Sequence, residues 1–256
     1  MMRFNKGQEP VIFGHRGYSA IAPENTLAAL KSLKDAGFRA VEFDVRVCRS
    51  GEIVVSHDPD LLRVSGEGLI IRDQDYSTLA GVDIGSWFNP AFRGERLPLC
   101  SQFIETAGEE FMFDIELKEE QTSNSALVEG VGSLIYRHGI EDRCLVSSFN
   151  PLILRHFARR WPGISRAIIY SHHSDVPWFL RRGFGRYLGR TTVEKPHVPQ
   201  ALAMVTRKNP PARPIIAWTV NSYEDAVALS NAGVWGMIGD DPGVIKKAVL
   251  DSTKTA

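Results

Sequence analysis

The segment from Val41 to Asp58, VEFDVRVCRSGEIVVSHD, is the tightest constraint on what this chain can fold into. It reads as a buried strand, yet Glu42 and Asp44 stand at alternate positions within it. Successive strand side chains point to opposite faces, so the two carboxylates share one face and Val41, Phe43 and Val45 share the other. Like charges so placed repel by about 1–4 kcal/mol, depending on the local dielectric. Either a cation sits between them or one of them keeps its proton.

Around this segment strand and helix signals alternate. Pro10–Gly14 reads as a short buried strand, Pro23 and Asn25 mark a helix start, and Gly37 is that helix's natural end. Ala40–Val47 is the second strand, and Arg49, Ser50 and Gly51 turn it into a hairpin-like extension over Glu52–Ser56. Residues 59–97 are rich in Gly, Asp, Ser and Arg with no long periodic pattern. They read as an insertion on one face, with a short helix near Ser77–Ala80. Alternation resumes with helix Leu99–Ala107, strand Phe111–Leu117, helix Ser125–His138, strand Cys144–Ser148, helix Pro151–Arg160 and strand Ser165–Tyr170. The pattern then predicts a helix over Val176–Arg182, a weaker strand over Tyr187–Thr192 and a helix around Pro199–Lys208. Strand Ile215–Val220, helix Tyr223–Ala232, strand Gly236–Gly239 and helix Pro242–Leu250 follow.

Roughly eight apolar strands alternating with helices predict an α/β fold, a (β/α)8 TIM-type barrel rather than a doubly wound sheet. No GxGxxG opens the first helix, which argues against a nucleotide-binding sheet. One domain over residues 1–256 is expected, carrying the small insertion at 59–97 after the second strand. Lys plus Arg and Asp plus Glu are both 30, so no global positive field marks the chain as a nucleic-acid binder. No apolar run approaches the roughly 18–20 residues of a membrane-spanning helix. The opening MMRFNKGQEP lacks the apolar segment of a secretory signal, so the expected location is the cytoplasm. Cys48, Cys100 and Cys144 are far apart and read as reduced, buried thiols rather than zinc ligands or a disulfide framework.

In a barrel the chemistry sits where strands end. His15 and Arg16 directly follow the first strand, and His57 ends the hairpin extension. Asp114, Glu116 and Lys118 share one face of the FDIELK strand, while Trp218 and Asn221 close the strand near the end of the chain. Stability alone would fill such a mouth with Val, Ile and Leu. Carboxylates at this density suggest a hard divalent cation with oxygen ligands, Mg²⁺ or Ca²⁺. The alternative is that Lys118, Arg16 and Arg46 neutralise Glu42, Asp44 and Glu116 in buried ion pairs, which seldom repay their desolvation.

These residues resemble the glycerophosphodiester phosphodiesterase family, a TIM-barrel branch of the phospholipase C-like phosphodiesterases. The motifs that match are GHRGYSAIAPENTLAAL (Gly14–Leu30), VEFDVRVCRSGEIVVSHDPDLLR (Val41–Arg63), DIELK (Asp114–Lys118), SSFNP (Ser147–Pro151), AWTVN (Ala217–Asn221) and GDDP (Gly239–Pro242). The resemblance implies metal-dependent hydrolysis of a small-molecule glycerophosphodiester to sn-glycerol 3-phosphate and an alcohol. It implies Glu42, Asp44 and Glu116 as ligands of Mg²⁺ or Ca²⁺, and His15 and His57 as general acid and base. Arg16 and Lys118 look like phosphate contacts, Glu24 and Asn25 like support for the metal or substrate shell, and Trp218 like a surface for the glycerol. Asp114 departs from the family pattern, in which asparagine is frequent at that place. Two rivals differ in function on the same fold. A lysophospholipase D-type phosphodiesterase would want an apolar approach, for which Leu69, Ile70, Ile71, Trp87 and Phe88 are the candidates. A non-catalytic barrel binding a phosphorylated ligand would be expected to have lost a ligand or a histidine, and none is missing. The choice of monomer or homodimer stays open.

Overall fold

The apolar positions of the strands form the outer face of a parallel sheet that curls into a nearly closed barrel of eight parallel strands. The computed structural model describes residues 2, 9–119, 125–174, 176–207 and 212–254. The strands are β1 (Val11–His15), β2 (Ala40–Val47), β3 (Ile53–Val55), β4 (Met112–Leu117), β5 (Cys144–Ser148), β6 (Ser165–Tyr170), β7 (Val193–Pro196), β8 (Ile216–Ala217) and β9 (Gly236–Gly239). Around the barrel they run β7-β6-β5-β4-β2-β1-β9-β8, and parallel bridges Glu194–Ile215 and His197–Trp218 join the two ends. Among the described residues only β3 stands outside the barrel, antiparallel to β2 as the hairpin extension.

Strand parity sets what lies where. Val41, Phe43, Val45, Phe113, Ile115 and Leu117 point outward and pack against the helices, with the Phe43 and Phe103 rings 4.6 Å apart. The inward positions change character along the barrel. At its N-terminal end Phe13, Ala40, Leu145, Val193, Ile216 and Ile238 form an apolar plug. Further along the same strands the inward residues are Glu42, Asp44, Asp114, Glu116, Ser147 and Lys195, all buried.

Residues 59–97 hold four short helices, Leu62–Ser65, Ile71–Asp73, Tyr76–Leu79 and Pro90–Phe92, over a core of their own built on Leu61, Ile71, Leu79, Val82, Ile84 and Leu97. Asp83 ties that segment together by accepting the backbone N–H groups of Gly85, Ser86 and Gly94.

Two expected elements are displaced. Val176–Arg182 is a series of turns, because Pro177 enters it and Gly183 leaves it at φ +72°. Tyr187 lies in a short helix, Gly185–Gly189, and the strand expected over Tyr187–Thr192 begins instead at Val193. The helix expected around Pro199–Lys208 runs Val198–Val205, and Lys208 lies outside the described residues. Among the described residues no helix is long and apolar enough to cross a membrane.

The loop after β1 is held close to the first barrel helix, Leu27–Asp35, through Gly17. Its φ is +91°, and a Cβ there would stand 2.7 Å from that of Ala29. Gly17→Ala should therefore cost about 1–3 kcal/mol from the backbone conformation alone. A lowered urea midpoint is the expected result; an unchanged midpoint would show that the loop yields freely.

Candidate active site

Parallel pairing of β2 and β4 sets Glu42 opposite Asp114 and Asp44 opposite Glu116, so four carboxylates stack in two tiers inside the barrel. Each tier has its own cation. In the lower tier Lys195 on β7 reaches across, its Nζ 2.9 Å from Asp114 Oδ2 and 3.4 Å from Glu42 Oε1. Lys195 also donates to Ser147 Oγ at 3.1 Å, and Ser147 donates to Asp114 Oδ1 at 2.6 Å. Burial alone would favour the neutral amine, but Asp114 and Glu42 raise the Lys195 pKa above its ordinary value and hold the side chain protonated.

In the upper tier Lys118 Nζ lies 2.6 Å from Glu116 Oε1 and 3.3 Å from Asp44 Oδ1. Arg16 Nε is 3.2 Å from Asp44 Oδ2, to which Asn25 Nδ2 donates at 2.9 Å. Burial would raise the Asp44 carboxyl, yet Lys118 and Arg16 more than reverse this and hold it far below the carboxylate range. Lys118 and Arg16 thus meet the carboxylates as the ion-pair alternative expected. The third cation is Lys195, while Arg46 donates to the main-chain oxygens of His57 and Lys118.

Glu42, Asp44 and Glu116 still offer a cation site. One oxygen of each lies within 4.8 Å of the others, and all three are buried. Glu42 Oε2 is buried without a hydrogen-bond partner, and His15 Nε2 stands 3.9 Å from it. Three clustered carboxylates, with one Glu42 oxygen left without a hydrogen-bond partner, form the kind of donor set a hard divalent cation takes.

Both histidines are oriented by a carboxylate. His15 Nδ1 lies 2.5 Å from Asp240 Oδ1, which leaves Nε2 facing the triad. The register of β1 with β9, Gly14 against Gly239, brings these two residues together. Asp240 is itself held by Asn221 Nδ2 at 2.6 Å. Burial would raise the Asp240 carboxyl, but the His15 contact brings it down to about 2. His57 Nδ1 lies 2.7 Å from Asp58 Oδ1, and Arg63 from the insertion grips the other oxygen of Asp58 at 2.6 Å. Burial lowers the His57 pKa, and Lys118 and Arg16 push the same way against Asp44.

Glu24 bridges Arg16 and Arg63, each at 2.8 Å, so it fixes the two guanidiniums rather than touching the carboxylate triad. Trp218 donates from Nε1 to Lys195 O at 2.9 Å and meets the Phe149 ring edge-on at 5.5 Å. Lys118 Nζ lies 5.8 Å from the centre of that Phe149 ring. The ten residues to which the resemblance gives roles therefore gather at the barrel mouth. The sequence reading assigned no role to Lys195, Asp240, Asp58, Arg63 or Phe149. The last four lie inside motifs that were quoted there, and Lys195 lay beyond the misplaced strand.

Residues 15–244 match the model of the glycerophosphoryl diester phosphodiesterase family. The chain is 30% identical to a glycerophosphodiester phosphodiesterase of Caldanaerobacter subterraneus subsp. tengcongensis, over 91% of this chain and 94% of that protein. It is also 30% identical to one of Bacillus altitudinis, over 90% of this chain and 94% of the other. The fold superposes with TM-score 0.81 on an Oleispira antarctica phosphodiesterase solved with its product sn-glycerol-3-phosphate. That pair is 26% identical, covering 94% of this chain and 97% of the other.

The lower tier makes a direct test. Lys195→Met should cost about 3–5 kcal/mol, because it leaves Asp114 and Glu42 buried without their cation, and Asp114→Asn should cost less, because Lys195 keeps Glu42. The double variant should cost clearly less than the sum, measured as a double-mutant cycle in urea. Strict additivity would refute the ion pair.

Proposed function

The chain belongs to the glycerophosphoryl diester phosphodiesterase family, and from that membership we propose metal-dependent hydrolysis of glycerophosphodiesters to sn-glycerol 3-phosphate and an alcohol. The observation that carries the reading is the buried triad Glu42, Asp44 and Glu116, flanked by two histidines whose Nδ1 atoms are both held by carboxylates. Mg²⁺ or Ca²⁺ held by that triad would supply charge neutralisation at the phosphodiester and lower the pKa of an attacking hydroxyl or water.

The chain's own groups do the rest. Arg16 and Lys118, the donors bordering the triad, bind phosphoryl oxygens and offset charge as it develops in the transition state. His15 and His57 move the protons, one taking a proton from the nucleophile and the other giving one to the leaving alkoxide. Asp240 and Asp58 fix Nδ1 of each ring, so Nε2 is the atom that works. Trp218 and Phe149 give the glycerol carbons an apolar wall.

A lysophospholipid is the second substrate class favoured by an observation. Ile70 and Trp87 of the insertion are exposed on the face that carries the mouth, although Ile71 is buried in the insertion's core.

Chelation by EDTA should abolish release of glycerol 3-phosphate from glycerophosphoethanolamine, and added Mg²⁺ or Ca²⁺ should restore it. Full turnover in chelator would end the metal reading. His15→Ala and His57→Ala should each lower kcat by about 10²–10⁴-fold, with circular dichroism unchanged. Near-normal turnover in either variant would remove that histidine from proton transfer.

A further inference from the structure

Among the described residues, most of the large apolar side chains left exposed lie in two connections, the insertion after β3 and the segment after β6. Leu62, Ile70 and Trp87 are exposed in the insertion after β3. Across the mouth, the connection from β6 leaves Trp178, Phe179 and Phe184 exposed by 78%, 54% and 57%. The order β2-β4-β5-β6 puts these two prominences on nearly opposite sides of the barrel rim, with the polar mouth between them. The short helix Gly185–Gly189 that follows these rings packs closely on Ile168, Pro151 and Leu154.

The β6 prominence is also basic. From Val176 to Val193 the sequence contains four arginines and no acidic residue. Arg186 is committed to buried Glu194 at 3.0 Å, and Arg181 donates to the main-chain oxygens of Val176 and Ser174. Arg182 is exposed, and its guanidinium has no partner among the described residues.

Exposed aromatics beside arginine, set on a rim around a polar centre, match the boundary between lipid headgroups and acyl chains. Here the apolar parts are separated by a mouth lined with ionised groups, which suits a layer presenting phosphates beside hydrocarbon.

We propose that this face docks on an anionic lipid bilayer. Trp178, Phe179 and Phe184 enter the headgroup region, and Arg182 lies against lipid phosphate. If the catalytic reading holds, docking brings the mouth to phosphodiesters in the membrane surface, but the docking itself does not depend on that reading.

The test is co-sedimentation of the full chain with vesicles of phosphatidylcholine alone and of an equal mixture with phosphatidylglycerol. The chain should bind the mixed vesicles and bind the neutral ones less. The double variant Trp178→Ser/Phe179→Ser should bind on the order of tenfold more weakly, and Arg182→Glu should lose the preference for phosphatidylglycerol. Both variants should hydrolyse water-soluble glycerophosphoethanolamine as the parent does, which shows that the site is intact. If the parent fails to hydrolyse it while binding vesicles, the catalytic reading falls and the docking stands. Absence of vesicle binding, or undiminished binding by the double variant, would overturn the proposal. So would equilibrium sedimentation showing a dimer that the double variant dissolves, since the patch would then belong to a second copy.

Discussion

Four carboxylates held inside a barrel are the constraint on which the rest of the site depends. The pairing of β2 with β4 makes them unavoidable neighbours, because Glu42 faces Asp114 and Asp44 faces Glu116 in register. A buried carboxylate without a partner costs several kcal/mol, so the surrounding strands must bring cations to the same height. Lys195 from β7 serves the lower pair, and Lys118 and Arg16 serve the upper one. Asp114 finds its compensation here. It is matched across the barrel by Lys195, with Ser147 bonded to both partners.

Stability does not explain this arrangement. Lower in the barrel the same strands point Phe13, Ala40, Leu145 and Val193 inward and fill the interior with apolar atoms. Buried ion pairs seldom improve on such packing. The change from plug to charge, within one or two inward positions of each strand, therefore marks where the barrel stops serving the fold and starts serving chemistry. Glu42 shows the same division within one side chain. Its Oε1 faces Lys195, and its Oε2 is left unsatisfied beside His15.

What could be read from the sequence follows from periodicity. Glu42 with Asp44, and Glu116 with Lys118, stand two residues apart on strands whose other face is plainly apolar, so their shared direction is visible without a structure. Lys195 was not legible. Its strand has four residues, Val193–Pro196, and an ion pair occupies its inward position, so it lacks the apolar run that identifies a barrel strand. The preceding Trp-Phe-Leu cluster drew the pattern toward a helix that Pro177 and Gly183 prevent. Asp240 was visible as a residue but not as a partner of His15. That contact joins positions 225 residues apart and needs the register of β1 with β9.

The backbone carries the same message as the charges. Arg16 and Asn25 have φ of 55° and 58°, in the left-handed region that most side chains avoid. Asparagine tolerates it well; arginine does not, and such positions cost about 1–3 kcal/mol each. Both side chains end on Asp44, and the Asn25 amide donates to the Arg16 carbonyl at 2.9 Å. The Arg16 amide in turn donates to the Glu42 carbonyl at 2.7 Å, so the strained loop is pinned to the strand that carries the carboxylates. Strain is thus balanced by contacts to β2, whose Asp44 itself depends on the guanidinium that the strained residue delivers. Loop conformation and site charge stabilise each other, and an Asp44 substitution should loosen the loop as well as remove one of the three clustered carboxylates.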